Sequence, residues 1–219
     1  YAGGAEMSLQ TLMDNSPTES VAGINSHFLS EDLIRSNREA KWIFGNISQL
    51  SEEAMSKVIE HDLDYSFVEF DYKFCKHRNP LLYEMVEGEE CKYAETDLGK
   101  RLTEFMNRAK SVFFMSKEQL NMHKQHLVDF NNEKCFVLSS LFSDSFFAAI
   151  DSLRNKHKSS RNNKWMVMGS NSWVKGVQES EDWCKDNNLE YELVQNVKPG
   201  EFLQKLSSFK GLCFKPSGL

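Results

Sequence analysis

Two kinds of hydrophobic pattern alternate along this chain. Short apolar runs bounded by turn-forming residues are typical of buried strands, and stretches with apolar residues every three or four positions are typical of helices. The predicted strands are residues 41–44, 65–72, 112–115, 135–138, 165–168, 190–194 and 212–214, with a weaker one at 20–25. The predicted helices are residues 7–13, 30–38, 51–59, 96–109, 117–128, 146–154, 177–186 and 199–206. Strands that alternate with helices in this rhythm predict βαβ units and parallel sheets, so the predicted fold class is α/β.

Two polar segments interrupt this rhythm. Residues 73–96 are rich in charged residues and tyrosine and have no clear period, which predicts a long loop with one helical turn at most. Residues 154–163 are basic and carry no large apolar group, which predicts a linker. We therefore expect an N-terminal domain at 1–153 and a second α/β domain at 164–219. Because the second domain has only three predicted strands and stops just after the last, we expect it to be incomplete in this chain.

Composition narrows the classes of protein that fit. The net charge of −6 argues against a broad surface for nucleic acid or anionic membranes. The five cysteines are scattered and form no Cys-x-x-Cys pair, so we interpret them as reduced thiols of a cytoplasmic protein. The spacing of Cys75, His77 and Cys91 fits no standard zinc pattern, so no metal site is expected. No apolar run approaches the roughly 20 residues of a membrane span, and the start at Tyr1 has no signal-peptide pattern and lacks an initiator Met, so we expect a missing upstream part.

The segment from Trp165 to Gly176 is the strongest candidate for a binding site. Its apolar run ends at Gly169, a polar loop follows, and Lys175-Gly176 precede the predicted helix 177–186. A strand, a loop and a helix in that order place backbone N–H groups and a helix dipole at the carboxyl edge of the sheet, where an anion binds readily. Lys175 would add a movable positive charge for a phosphate. The local pattern also fits an ordinary βα unit whose lysine is simply solvated.

Four segments of the chain resemble motifs of the GT-B glycosyltransferases, and most closely of their large retaining family four. Two of them are predicted to lie in the first domain and two in the second. The four segments are Gly3-Gly4-Ala5-Glu6, Glu69-Phe70-Asp71-Tyr72 followed by Cys75, Gly169-Ser170 followed by Lys175-Gly176, and Phe214-Lys215-Pro216-Ser217. In that family they correspond to an N-terminal Gly-Gly-x-Glu loop, a His-Asp-Tyr strand end, a Gly-Arg…Lys-Gly donor loop and a strand that ends in Pro-Ser. The resemblance implies two Rossmann-like domains that face each other across a cleft.

The same resemblance implies a function. The protein would transfer a sugar from a nucleoside-diphosphate donor to an unknown acceptor, with retention and without a bound metal or other cofactor. Lys175 would be catalytic, because its charge would neutralise the leaving diphosphate. The implied donor-binding residues are Gly169, Ser170, Asn171, Lys175 and Gly176, and the implied cleft-lining residues are Gly3, Gly4, Glu6, Asp71 and Tyr72.

The chain departs from the family pattern at two positions. Ser170 stands where the family has arginine, and Phe70 stands where it has histidine. The glutamate pair of the family would lie beyond Leu219. A basic cluster after the strand 65–72 could replace the missing cation; its members are Lys73, Lys76, His77 and Arg78.

Two alternatives stay open at this stage. The first is a GT-B-like module that has lost activity and binds a glycan or a protein, as Ser170 and Phe70 suggest. The second is a different α/β enzyme, such as one resembling nucleotide-sugar epimerases, or a phosphate-binding protein. Histidines with charged neighbours are interpreted as surface residues rather than ligands; these are His61, His123, His126 and His157.

Overall fold

A computed structural model describes residues 4–18, 20–156 and 161–216. The helices are α1 Gly4–Asp14, α2 Glu31–Ser36, α3 Glu52–Glu60, α4 Pro80–Glu87, α5 Asp97–Arg108, α6 Lys117–His126, α7 Asp144–Lys156, α8 Val177–Asp186 and α9 Pro199–Ser208. The strands are β1 Trp42–Phe44, β2 Tyr65–Glu69, β3 Ser111–Phe114, β4 Cys135–Val137, β5 Trp165–Met168, β6 Tyr191–Val194 and β7 Gly211–Cys213. Short 3₁₀ turns lie at Ser26–Phe28, Tyr93–Glu95 and Trp173–Lys175. The chain divides into two compact units, Ala2–Leu141 and Phe142–Leu219, called here the N-terminal and the C-terminal unit.

The N-terminal unit is built on a parallel sheet of four strands in the order β1-β2-β3-β4. Phe67 of β2 is paired with Val112 of β3, and both are buried because the middle of the sheet is covered by helices. Helix α5 turns Phe105 onto the sheet, where its ring meets those of Phe44, Tyr65 and Phe67. This aromatic group forms the centre of the core.

Side-chain caps fix the starts of several helices in the N-terminal unit. The hydroxyl oxygens of Ser51, Thr96 and Ser116 each accept a hydrogen bond from a backbone N–H three residues later. Such caps occupy donors that have no partner inside the helix. They also fix where the chain turns into each of these helices.

The C-terminal unit contains a parallel sheet of three strands in the order β6-β5-β7. The chain leaves β5 through α8 to β6 on one side, and then crosses back through α9 to β7 on the other. Val167 packs with Cys184 of α8, and Met166 packs with Phe209 after α9, so the two helices cover opposite faces. This order creates a topological switch point at β5, the place where open α/β sheets commonly bind ligands at their carboxyl edge.

The structure confirms the predicted α/β class with parallel sheets. Strand β5 and helix α8 have the bounds that the hydrophobic pattern predicts. The weak strand predicted at 20–25 is wrong, since that segment is irregular and ends in the turn Ser26–Phe28. The interpretation of 73–96 as a loop is also wrong in part, because Asn79 caps an eight-residue helix there and Gly88 ends it in the left-handed conformation.

The units divide elsewhere than at the predicted linker. The division falls between Leu141 and Phe142, ahead of residues 154–163. Helix α7 belongs to the C-terminal unit because it packs against α9. Residues 157–160 of the predicted linker lie outside the described part of the chain. Within that described part, no helix is both long and apolar enough to cross a bilayer.

Replacing Phe105 with alanine tests the aromatic centre of the N-terminal core. Phe105 is fully buried, so Phe105→Ala removes packing and leaves a cavity. We expect the free energy of unfolding to fall by about 3–5 kcal/mol in urea denaturation followed by circular dichroism. Phe28→Ala is the matched control, because 70% of Phe28 is exposed, and it should change stability by about 0.5 kcal/mol or less. Equal effects of the two variants would contradict this description of the core.

Candidate functional site

The loop after β5 begins with a close approach between two strands. The N–H of Gly169 donates a hydrogen bond to the carbonyl of Val194 at 2.8 Å, which extends the β5–β6 ladder by one residue. A Cβ atom on Gly169 would lie 2.6 Å from Cβ of Gln195. Glycine is therefore required where the carboxyl ends of β5 and β6 converge.

A cavity of about 530 Å³ opens at this edge of the C-terminal unit. Its described lining consists of Gly169, Ser170, Asn171, Gln195 and Asn196. None of these side chains carries a charge, and the volume is in the range of small-molecule sites. The structure thus brings together three of the five predicted donor-binding residues and adds Gln195 and Asn196, which the sequence interpretation missed. Their position directly after the β6 run is the signal that could have identified them.

The other two predicted donor-binding residues lie at the far end of the same loop. Lys175 ends the turn Trp173–Lys175 and is exposed, and the described lining of the cavity does not include it. Gly176 is buried at the start of α8 with φ +61°. A Cβ atom there would overlap the carbonyl oxygen of Lys215, at 1.6 Å. The start of α8 therefore touches the chain directly after β7.

Hydrogen bonds through Ser180 hold this contact in place. The Ser180 hydroxyl donates to the Gly176 carbonyl at 2.7 Å and accepts from the Lys215 N–H at 3.0 Å. The Cys213 thiol donates to the Ser180 carbonyl at 3.5 Å. The first turn of α8 is thereby fixed against the carboxyl end of β7, at the topological switch point.

The predicted cleft-lining residues of the N-terminal unit separate into two groups. Gly4 starts α1 and is exposed, and Gly3 lies outside the described residues. Glu6 accepts a hydrogen bond from the Asn46 side chain at 3.2 Å, which joins α1 to the chain after β1. Asp71 and Tyr72 follow β2, where several ionisable side chains contact one another.

A partly buried group of ionisable side chains surrounds the carboxyl end of β2. We call it the β2 cluster; its members are Glu69, Asp71, Lys73, Arg78 and His123. The Lys73 ammonium donates to Glu69 Oε1 at 2.8 Å and to Asp71 Oδ1 at 2.9 Å. The Asp71 N–H donates to Glu69 Oε1 at 3.1 Å, and Arg78 donates to Asp71 Oδ2 at 3.3 Å. Glu69 is completely buried, and the side chain of Lys73 is only 7% exposed.

His123 lies inside the protein, so its prediction as a surface residue is wrong. It is completely buried, and its ring packs against Phe74 and Phe114. Nδ1 donates to the Gln119 carbonyl at 2.9 Å, because a carbonyl oxygen can only accept. Nε2 lies 3.8 Å from Glu69 Oε2. The signal in the sequence is the four-residue spacing from Gln119, which puts both side chains on the helix face toward the sheet.

Opposing effects set the charges of the two innermost groups. Burial raises the pKa of Glu69, but the Lys73 ammonium and His123 outweigh it, and the net pKa is lowered. Burial lowers the pKa of Lys73, but Glu69 and Asp71 outweigh it, and the net pKa is raised. Both groups are therefore charged at neutral pH and depend on each other for that charge.

Each side chain of the basic cluster predicted after β2 contacts a carboxylate. Lys76 and His77 both contact Glu87 Oε1, at 2.8 and 2.7 Å, and Lys73 and Arg78 contact Asp71. These basic side chains do not form a free surface for a phosphate. Among the residues that the structure describes, no group of three or more His, Cys, Asp or Glu side chains is placed to hold a metal ion.

Gly176→Ala tests the contact between α8 and the end of β7. The left-handed backbone and the overlap with the Lys215 carbonyl should together cost about 2 kcal/mol or more of unfolding free energy. Gly200→Ala is the control, because a Cβ atom at Gly200 of α9 would meet nothing within 4 Å. In chemical denaturation, the free energy of unfolding of Gly200→Ala should equal that of the native protein or be slightly higher. A neutral Gly176→Ala would contradict the contact.

Lys73→Met tests the interdependence of the buried charges. Glu69 would stay buried without its cation, so the free energy of unfolding at pH 7 should fall by about 3–5 kcal/mol. The folded pKa of Glu69 is depressed in the native protein, so its stabilising contribution is present above the ordinary carboxyl range and is lost as the pH falls. The difference between the two proteins should therefore shrink in denaturation measured below about pH 4. Lys185→Met, which removes an exposed partner of Asp182, should change little at either pH.

No protein-family model, curated protein or solved structure matches this chain. Inferences about its function therefore depend on its own residues. The two arrangements that carry them are the loop from Gly169 to Gly176 in the C-terminal unit and the β2 cluster in the N-terminal unit.

Proposed function

We propose that the protein is a glycosyltransferase that uses a nucleoside-diphosphate sugar as donor. The observation that carries the proposal is the position of the loop from Gly169 to Gly176. It follows the central strand of the β6-β5-β7 sheet, at the switch point, and leads into the start of α8. Sheet edge, glycine loop and helix start together are a recurrent arrangement for phosphate groups of nucleotides.

The diphosphate of the donor would bind at the start of α8. No side chain caps α8, so the N–H groups of its first turn would donate hydrogen bonds to the diphosphate. Lys175 is exposed directly beside that turn and would supply a positive charge to the leaving diphosphate. Lys175 is in this proposal the catalytic residue, and transfer with retention and without a metal follows from the resemblance to the GT-B enzymes.

The uncharged part of the donor would occupy the neighbouring cavity. Ser170, Asn171 and Gln195 offer hydroxyl and amide groups, which match sugar hydroxyls or the edge of a base. This division gives the charged and uncharged parts of one ligand separate places along a single loop. The acceptor would be a separate substrate, and the cytoplasm would supply the nucleotide sugar.

A second candidate is a GT-B-like module that binds a ligand without catalysis. Specific observations favour it: Ser170 takes the place of a cation, and the basic side chains near β2 are neutralised by carboxylates. Such a module would bind a nucleoside diphosphate or a glycan but release no nucleotide from a nucleotide sugar.

Thermal melting with nucleoside diphosphates tests the donor site. A ligand at about 100 times its dissociation constant stabilises a protein by about 2.7 kcal/mol, so UDP, GDP or ADP should raise the melting temperature measurably. Lys175→Ala should remove most of that rise, because it deletes the countercharge. Lys185→Ala, which alters an exposed lysine at the other end of α8, should keep it. No shift with any of these nucleotides would contradict the proposal, and binding without release of nucleotide from nucleotide sugars would favour the inactive module.

A further inference from the structure

Helix α4 presents an apolar side to the solvent. Leu81, Met85 and Val86 are 47%, 69% and 60% exposed, and Leu82 lies half-buried beside them. At about 100° per residue, these four side chains cover one continuous side of the helix, which we call the α4 face. A surface helix usually turns its apolar side toward the core, so the orientation of α4 is unusual.

The opposite side of α4 attaches it to the N-terminal unit. Pro80 is buried, and Tyr83 packs against the core with its ring centroid 5.5 Å from that of His77. Glu87 Oε1 contacts Lys76 and His77 at 2.8 and 2.7 Å. Positions 80, 83 and 87 share one side of a helix. The α4 face could not turn inward without breaking these contacts.

Both ends of α4 are fixed, so the α4 face is formed before any partner arrives. Asn79 Oδ1 accepts a hydrogen bond from the Leu82 N–H at 3.1 Å, and Pro80 fits the first turn. Gly88 ends the helix in the left-handed conformation, and its N–H donates to the Glu84 carbonyl at 2.9 Å. A surface that needs no ordering lowers the entropic cost of association.

The surroundings of the α4 face are acidic. Residues 80–95 contain five glutamates and one lysine. Glu84, Glu89 and Glu90 are exposed and form no ion pair with any residue that the structure describes; we call them the acidic rim. Unpaired carboxylates disfavour an anionic membrane and also a second copy of this chain, which would bring the same acids into a two-fold contact. They favour a partner with lysine or arginine side chains.

The shape of the α4 face suits another helix. Its side chains form two ridges of residues four apart, 81 with 85 and 82 with 86, and such ridges pack into the grooves of a facing helix. An eight-residue helix is about 12 Å long, so the contact is small and the complex should be transient. Exposed apolar side chains grouped in this way, unlike single ones, mark interaction sites.

We propose that the α4 face binds a basic, amphipathic helix of a partner protein. The apolar side of that helix packs on the α4 face, and its lysine or arginine side chains lie beside the acidic rim. The partner is not a substrate, so this inference does not depend on the proposed transferase activity. The proposal assigns to the N-terminal unit a role in assembly that is separate from the loop Gly169 to Gly176.

Fluorescence anisotropy with synthetic peptides tests the proposal on the full chain. The probe is a labelled peptide of about 15 residues, long enough for a helix, with leucine on one side and lysine on the other. It should bind in the micromolar range. The same peptide with glutamate in place of lysine should bind at least about tenfold more weakly. No binding of the lysine peptide, or equal binding of the two, would overturn the proposal.

Met85→Ser tests the apolar contact. It should weaken binding of the lysine peptide by about tenfold, since it removes most of the apolar surface at the centre of the α4 face. Phe28→Ser is the matched control, because Phe28 is 70% exposed and Met85 is 69% exposed, but Phe28 lies outside α4. It should leave binding within about twofold. Equal effects of the two variants would count against the α4 face.

Neutralising the acidic rim separates a local charge contact from a general one. The triple variant Glu84→Gln, Glu89→Gln, Glu90→Gln should weaken binding of the lysine peptide by about fivefold or more. Its control changes three exposed glutamates elsewhere in the same unit and alters the net charge equally; these are Glu39, Glu53 and Glu133. The control should leave binding within about twofold, and a matching loss would show that only the overall charge attracts the peptide, against the proposal.

Two further measurements address other occupants of the α4 face. Met85→Ser should change neither the binding of the protein to phosphatidylcholine vesicles nor its oligomeric state in analytical ultracentrifugation. A loss of vesicle binding in the variant would assign the α4 face to a lipid surface. A dimer of the native protein that the variant dissociates would assign it to a second copy of this chain. Either result would overturn the proposal.

Discussion

The ion pair between Glu69 and Lys73 controls the geometry at the carboxyl end of β2. Glu69 has no contact with solvent, so its charge survives only because the Lys73 ammonium and His123 lie beside it. The same ammonium reaches outward to Asp71. One buried lysine thus couples the interior of the sheet to a partly exposed carboxylate, and these charge contacts help to fix the chain between them.

In the C-terminal unit, backbone contacts rather than charges fix the geometry at the carboxyl edge of the sheet. Gly176 brings the start of α8 against the Lys215 carbonyl, and Ser180 connects the same two segments by hydrogen bonds. This leaves Lys175 exposed beside a rigid helix start. A flexible charged side chain beside a fixed helix start would suit the role proposed for Lys175, a countercharge to a phosphate.

The sequence predicts these two regions unequally well, for physical reasons. The bounds of β5 and α8 follow from a short apolar run and a nearby glycine, because both signals are local. The burial of His123 depends on Glu69 and Phe74, which are distant in the sequence and meet it only in the folded chain. The pattern does not predict α4, because its apolar residues form no single buried stripe: Met85 is exposed, whereas Tyr83 packs against the core.

The strand order of the N-terminal sheet has a consequence for synthesis on the ribosome. Each new strand pairs with the one made just before it, so the sheet can grow by one βα unit at a time as the chain emerges. The sheet of the C-terminal unit cannot form in this order, because β7 pairs with the far side of β5 and not with β6. Its last strand therefore cannot join the sheet by pairing with its predecessor and must find the free edge of β5, across a length of chain about equal to that between β2 and β3.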